Sequence, residues 1–280
     1  PGTTPSPTDC PERLRAEDAD LATHPGPADW DRFGGWEAGP RFQATGYFYP
    51  VKHGGRWWMV DPDGRLFFSS GLDCVGSAMH TPVDERKGWF RNLPTWEGEF
   101  ADAYTWFGGA LDRSPFHGKW PACFSFPQAN LRRKFGPSWK EAFALFSHRR
   151  LRSWGLNTFG NWTENWVYKA ARTPYVVAIY YARPEIQGHK GFWSSFPDPF
   201  DPGFRAAVSA RMAQEGGRDG SSQDPWCLGY FVDNEMTFGE PGALAQAVLG
   251  APSKQPAKIR FVDELQTRYR DVERLNALWG

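Results

Sequence analysis

Two hydrophobic rhythms divide the chain. From Arg41 apolar residues recur at every second position or in short unbroken runs, as in "RFQATGYFYPVKHGGRWWMVDPDGRLFFSSGLDCVG". That pattern predicts strands around 42–51, 56–60 and 65–75. Gly54-Gly55 and Asp61-Pro62-Asp63-Gly64 fall between them as turns. "DPDG" opens like a calcium loop, but the later ligands of such a loop are missing, so a plain β-turn is the reading.

After Pro137 the period lengthens. Trp139, Phe143, Phe146, Leu151 and Trp154 share a helical face, Ser138 and Glu141 stand in capping-box spacing, and Gly155 is placed to end the helix. "LNTFGNW" then predicts a short strand, "TENWVYKAAR" a second helix and "PYVVAIYY" a β-branched strand. Asp201-Pro202 opens a third helix that runs to about Gln214, with Gly216 after it. "PWCLGYFVDNE" is a further strand. One last helix from about Pro256 carries Ile259, Val262, Leu265, Tyr269, Val272 and Leu275 at spacings of three and four. Residues 76–136 are Pro-, Gly- and aromatic-rich and weakly periodic, which predicts an extended loop with short helices. A Pro/Asp/Thr-rich stretch at the start predicts a loose lead-in, set at 1–40, before one domain over 41–280.

Strands alternating with helices predict a parallel α/β sheet with helices outside. A (β/α)8 barrel and a doubly wound open sheet both fit. No glycine-rich phosphate loop follows any strand, which weakens the second. Polar residues stand at successive strand ends: Asp73, then Asn161-Trp162, then Tyr181 and Arg183, then Asn234-Glu235. In a barrel those ends form the active face.

Composition narrows the function classes. The 32 basic and 32 acidic residues cancel, which argues against a nucleic-acid or membrane partner held by bulk charge. No apolar run is long enough for a membrane span. The six His show no metal-binding spacing and the four Cys no zinc pattern, so neither metal nor cofactor is expected. The 15 Trp, 22 Phe and 9 Tyr suit a large core and also offer flat platforms for sugar rings. Trp162 is balanced between those uses; Trp193, in a Pro/Phe-rich loop, reads as packing.

"CLGYFVDNEM" drives an apolar run into two acids and an amide without a turn residue. At a barrel mouth such an acid is partly withdrawn from water, which suits a proton donor, and the amide beside it can bind a sugar hydroxyl. For an isolated dipeptide, helix capping or a solvated loop is the simpler reading. Asn161 and Asp73 read as hydroxyl-binding residues, with a turn and a structural ion pair as their respective alternatives.

"GYFVDNEMTFG" resembles the fourth-strand end of clan-A glycoside hydrolases, where an Asn-Glu pair supplies the acid/base and its neighbour. "GRWWMVDPDGRLFFSSGLDCVG" resembles the hairpin and first strand of the β-agarase-type branch, and "WGLNTFGNW" its second strand. "RYRDVERLNALWG" resembles the helix after the acid/base there and in β-galactosidases of the clan. The resemblance runs from about Gly55 to Gly280. It implies that Glu235 is the acid/base, that Asn234 binds the substrate 2-hydroxyl, and that the fold is a TIM barrel behind a β-hairpin. It also implies a retaining hydrolase of a galactan such as agarose; a β-galactosidase on shorter substrates and a non-catalytic sugar-binding protein are the alternatives.

The clan's nucleophile is a second Glu at the seventh strand, and Gly280 follows Glu235 by only 45 residues. A whole barrel takes roughly 250 residues and each βα unit about 30. The expectation is therefore the first half of a barrel, about four βα units, lacking its nucleophile. Open strand edges should make such a piece associate. Glu164, Glu185 and Asp198 read as caps or loop charges rather than substitutes.

Overall fold

In the computed structural model the described residues are 9–107, 116, 119–191, 194–217 and 220–280. They form two compact units: Pro1–Val176 with Pro225–Leu228, and Val177–Asp224 with Gly229–Gly280.

The first unit opens with helix α1 (Cys10–Thr23), where the sequence had suggested a loose lead-in. Charge explains the difference. Leu21 is the helix's one buried residue, too little for a hydrophobic signal. Glu17 instead pairs with both Lys134 and Arg150, and Asp18 with Arg149 at 2.6 Å.

Strands β1 (Tyr49–His53) and β2 (Arg56–Val60) form the expected hairpin, and β3 (Leu66–Phe67) extends it into a three-stranded antiparallel sheet. Gly54 and Gly55 both take positive φ in the β1–β2 turn, the backbone that such a two-residue hairpin requires. The Asp61–Gly64 turn is a carboxylate turn: Asp61 Oδ1 accepts the N–H groups of Asp63 and Arg65 at 3.0 and 2.9 Å. Nearby, Asp31 Oδ1 accepts those of Phe33 and Gly35 at 2.9 and 2.8 Å. The other oxygen of each acid is buried without a hydrogen-bond partner elsewhere among the described residues, and the two carboxyls meet. Burial, reinforced by Asp31, pushes the Asp61 pKa up to about 7.

The predicted strand over 65–75 is split into β3 and β4 (Gly71–Leu72). Residues 76–136, read as loop, contain β5 (Thr81–Pro82), β6 (Tyr104–Trp106) and β7 (Ala122–Phe124), an antiparallel sheet in the order β5-β7-β6. Helix α2 (Phe126–Phe135) follows, capped by Ser125 Oγ, which accepts the Gln128 N–H. Val83, Ala103, Ala122, Phe124 and Ala129 bury a small core there.

Helix α3 (Trp139–Ser153) lies where its period predicts, but Ser138 makes no side-chain cap. Its buried face is Trp139, Ala144, Ser147, His148 and Leu151; Trp154 is exposed just beyond its end. His148 is a core residue, with Nδ1 2.8 Å from Thr173 Oγ1 and Nε2 2.9 Å from Val167 O. Burial lowers its pKa to about 4.

Strand β8 (Thr158–Phe159) pairs in parallel with β4 and with the start of β9 (Tyr175–Ile179). Between β8 and β9 the predicted helix shrinks to α4 (Asn165–Tyr168). Asn157 ties this sheet to the chain before it: Ser70 N–H donates to its Oδ1 at 2.9 Å, and its Nδ2 donates to Gly34 O and Phe68 O.

In the second unit, α5 (Pro202–Glu215) begins as predicted, with Asp201 accepting the Gly203 N–H at 2.7 Å. Strand β10 (Cys227–Val232) leads into the Asp233-Asn234-Glu235 segment. Helices α6 (Ala243–Gly250), α7 (Pro256–Tyr269) and α8 (Val272–Trp279) follow. The single last helix of the sequence reading is thus two. Arg270 takes φ +71°, and Asp271 caps α8 by accepting the Arg274 N–H at 2.8 Å. No described helix is long and apolar enough to cross a membrane.

Asp61 and His148 set opposite pH slopes for the first unit. Asp61 has its pKa raised on folding, so its contribution is complete below about pH 4 and lost as pH rises through about 7. His148 has its pKa lowered, so its contribution is complete above about pH 6.5 and lost as pH falls through about 4. Urea unfolding at several pH values should therefore show Asp61→Asn gaining on the wild type between pH 5 and pH 8.5; a pH-independent difference would refute this. A Cβ on Gly71 would sit 1.8 Å from the Thr158 carbonyl oxygen. Gly71→Ala should accordingly cost about 2 kcal/mol or more in the same assay.

Candidate active site

The tips of β4 and β8 are joined by backbone. Gly160 N–H donates to Leu72 O at 2.6 Å, Cys74 N–H to Asn161 O at 2.9 Å, and Glu164 N–H to Val75 O at 3.0 Å. Asp73 is exposed here and Gly160 lies against it; a Cβ on Gly160 would be 3.0 Å from the Asp73 Cβ. Asn161 is half-buried, and its Oδ1 is buried with no partner among the described residues. Trp162 next to it is 45% exposed. Asp73, Asn161 and Trp162 are thus brought together within the first unit. Trp193 lies outside the described residues.

Non-glycine residues with left-handed backbone recur at these ends: Cys74 at φ +56° and Trp162 at +59°. Each such residue costs on the order of 1–3 kcal/mol, and surrounding structure must hold it. Glu164 does part of that. Its carboxylate accepts the Ser77 N–H at 3.0 Å and the Ser77 hydroxyl at 3.4 Å, fastening the loop after β4 to the loop after β8. It stands just before α4, where the sequence suggested a cap or a loop charge, and makes no side-chain cap there.

The second unit has its own strand tips. At the end of β10, Asp233 and Glu235 take φ +62° and +46°. The Asp233 N–H donates to Ile179 O at 3.0 Å. The Asp233 side chain is 4% exposed and pairs with Arg183, which is 10% exposed. Tyr181 OH donates to Asp233 Oδ2 at 3.3 Å, and Arg183 Nη2 donates to Ser194 Oγ at 2.5 Å. Burial, then the negative charge of Asp233, raise the Tyr181 pKa. Asn234 is half-buried and Glu235 exposed. The sequence reading expected Glu235 to be partly withdrawn from water; in this unit Asp233 is buried and Glu235 is exposed.

The chain is similar to β-agarases. It is 31% identical over 282 residues to β-agarase B of Vibrio sp. (strain JT0107), covering 89% of this chain and 29% of that protein. β-Agarase A of the same organism is 29% identical over 255 residues, 81% of this chain and 24% of its own length. Among solved structures, that of an agarase, AgWH50C, superposes with a TM-score of 0.83 at 30% identity, over 100% of this chain and 43% of that one. A structure of an exo-β-agarase gives 0.84 at 29% identity, with the same coverage. No family model matches. The chain therefore spans under a third of the curated relatives and under half of the solved ones. Its mixed α/β fold is that of the matching part of these agarases.

Asp198, an acid outside the strand tips, is structural. Asp198 is fully buried; its Oδ2 accepts the Ala257 N–H at 3.0 Å in the first turn of α7 and also binds Gln255 Nε2. Glu185 is exposed. No group of three or more metal-ligating side chains occurs among the described residues. Sequence reasoning placed Arg183 and Tyr181 at a strand end but missed their joint hold on Asp233, fifty residues on. The apolar run gave no signal of it, since Phe231 and Val232 just before Asp233 are themselves exposed.

Glu164→Ala should leave the Ser77 N–H without its acceptor and destabilise the first unit by about 1–3 kcal/mol. Glu164→Gln keeps an acceptor and should lose less than half of that. Equal losses in denaturant unfolding would show that the bond to Ser77 is not what matters.

Proposed function

We propose that these residues carry the proton-donor half of a retaining glycoside hydrolase that cleaves β-glycosidic bonds of an agarose-type galactan. The observation that carries this is the end of β10. A βα series in a chain similar to β-agarases terminates in Asn234-Glu235, held by the left-handed backbone of Asp233 and Glu235. In this reading the parallel strands belong to the first half of a (β/α)8 barrel. Glu235 protonates the leaving oxygen and then activates water. Asn234 donates to the sugar 2-hydroxyl, Trp162 stacks on a sugar face, and Asp73 and Asn161 bind further hydroxyls.

A retaining displacement also needs a nucleophilic carboxylate about 5–5.5 Å from the acid/base. We assign it to sequence outside these 280 residues, since the relatives are more than three times as long as the matched part. Exposure of Trp162 and Glu235 also suits a second reading, a sugar-binding surface without turnover.

In the natural polypeptide carrying these residues, Glu235→Gln should lower kcat on agarose oligosaccharides by about 10²–10⁴. The purified 280 residues should hydrolyse neither agarose nor an aryl β-galactoside. An unchanged rate in the variant would remove Glu235 from the chemistry. Turnover by the 280 residues alone, lost in Glu235→Gln, would place the nucleophile within them. Binding of the same oligosaccharides with no hydrolysis by the natural polypeptide would select the binding reading.

A further inference from the structure

We propose that Asp233 is a positioning residue for Glu235, clamped by Arg183 and Tyr181 so that the strand end can present the carboxyl in one direction. The inference rests on the reading of Glu235 as proton donor, and adds to it the device that aims the side chain.

Three observations in the second unit carry it. First, Asp233 is held at three points: its N–H by Ile179 O, one carboxylate oxygen by Arg183, the other by Tyr181 OH. Second, the partners are themselves held. Arg183 reaches Ser194 Oγ through its other terminal nitrogen, and its guanidinium lies 5.6 Å from the Tyr181 ring centroid. The Tyr181 ring meets the edge of Phe204, on α5, with centroids 5.9 Å apart. Third, the backbone held this way is unfavourable for a residue with a side chain. Asp233 is left-handed, and so is Glu235 two residues on. Left-handed backbone at a non-glycine residue needs outside restraint, and functional sites are where it concentrates.

A buried ion pair is weak evidence of stabilisation, because removing two charges from water offsets much of their attraction. The Arg183–Asp233 pair is deeply buried, and Arg183 Nε is buried with no partner among the described residues. What the pair does supply is direction. With Asp233 fixed, the path from β10 to Glu235 has one intervening residue, Asn234, in which to vary. A proton donor misplaced by about 1 Å can lose a hundredfold in rate, so a fixed approach matters even though the clamp does not touch substrate.

The test separates aiming from folding. In the natural polypeptide, kcat/KM is measured on an agarose oligosaccharide, whose leaving group needs protonation, and on a dinitrophenyl β-galactoside, whose leaving group does not. Asp233→Asn should lower the first about thirtyfold or more and change the second less than threefold. Tyr181→Phe keeps the ring against Phe204 and removes only the O–H bond to Asp233; it should show the same split at about threefold, and it decides the matter if Asp233→Asn fails to fold. Arg183→Lys should fall between them. Parallel losses on both substrates, or no loss on either, would overturn the proposal. Glu235→Gln, run alongside, keeps the two ideas apart. If it abolishes oligosaccharide cleavage while Asp233→Asn is normal, Glu235 stands and the clamp falls. If it has no effect, the reading of Glu235 falls and the clamp has nothing to position.

Discussion

The strands β4, β8 and β10 change direction at once where they end, without the glycine that would make the change easy. Cys74, Trp162, Asp233 and Glu235 all meet that constraint with left-handed backbone and a full side chain. The cost is local and recurs after β4, β8 and β10. In each unit it is met by fixed neighbours: backbone bonds between the tips and the Glu164 bridge in the first, the Arg183–Tyr181 hold in the second. A chain selected for stability alone would place Gly or Asn at such points.

The carboxylates sort themselves by the same logic. Asp31, Asp61, Glu164, Asp198 and Asp201 spend oxygens on backbone N–H groups, turning loops or starting helices. Asp233 spends both on side chains. Asp73 and Glu235 remain exposed at strand ends. The division depends on what each acid can reach, since the residue types are the same throughout.

Long, regular elements were legible in the sequence. The hairpin turns, α3, α5 and strands β9 and β10 each carry a period sustained long enough to read, or a turn residue with one physical use. The three strands within 76–136 are two or three residues each, too short for an alternation to register. Helix α1 escaped because it docks through ions and buries little beyond Leu21. The α7–α8 break escaped because Val272 and Leu275 continue the period of the preceding helix straight through it; the interruption is a backbone event at Arg270. At the site, Asn234 and Glu235 could be picked out because they end an apolar run. The partnership of Asp233 with Arg183 joins residues fifty apart, and no local pattern encodes it.

Glu17 has a consequence of its own. One carboxylate answers two cations, Lys134 on α2 and Arg150 on α3, and little apolar surface backs it up. Mobile counter-ions compete with attachments of this kind far more than with buried hydrocarbon. Concentrated brine should thus loosen α1 before it disturbs α2 and α3, leaving a frayed helix as the first target for proteases while the remainder stays folded.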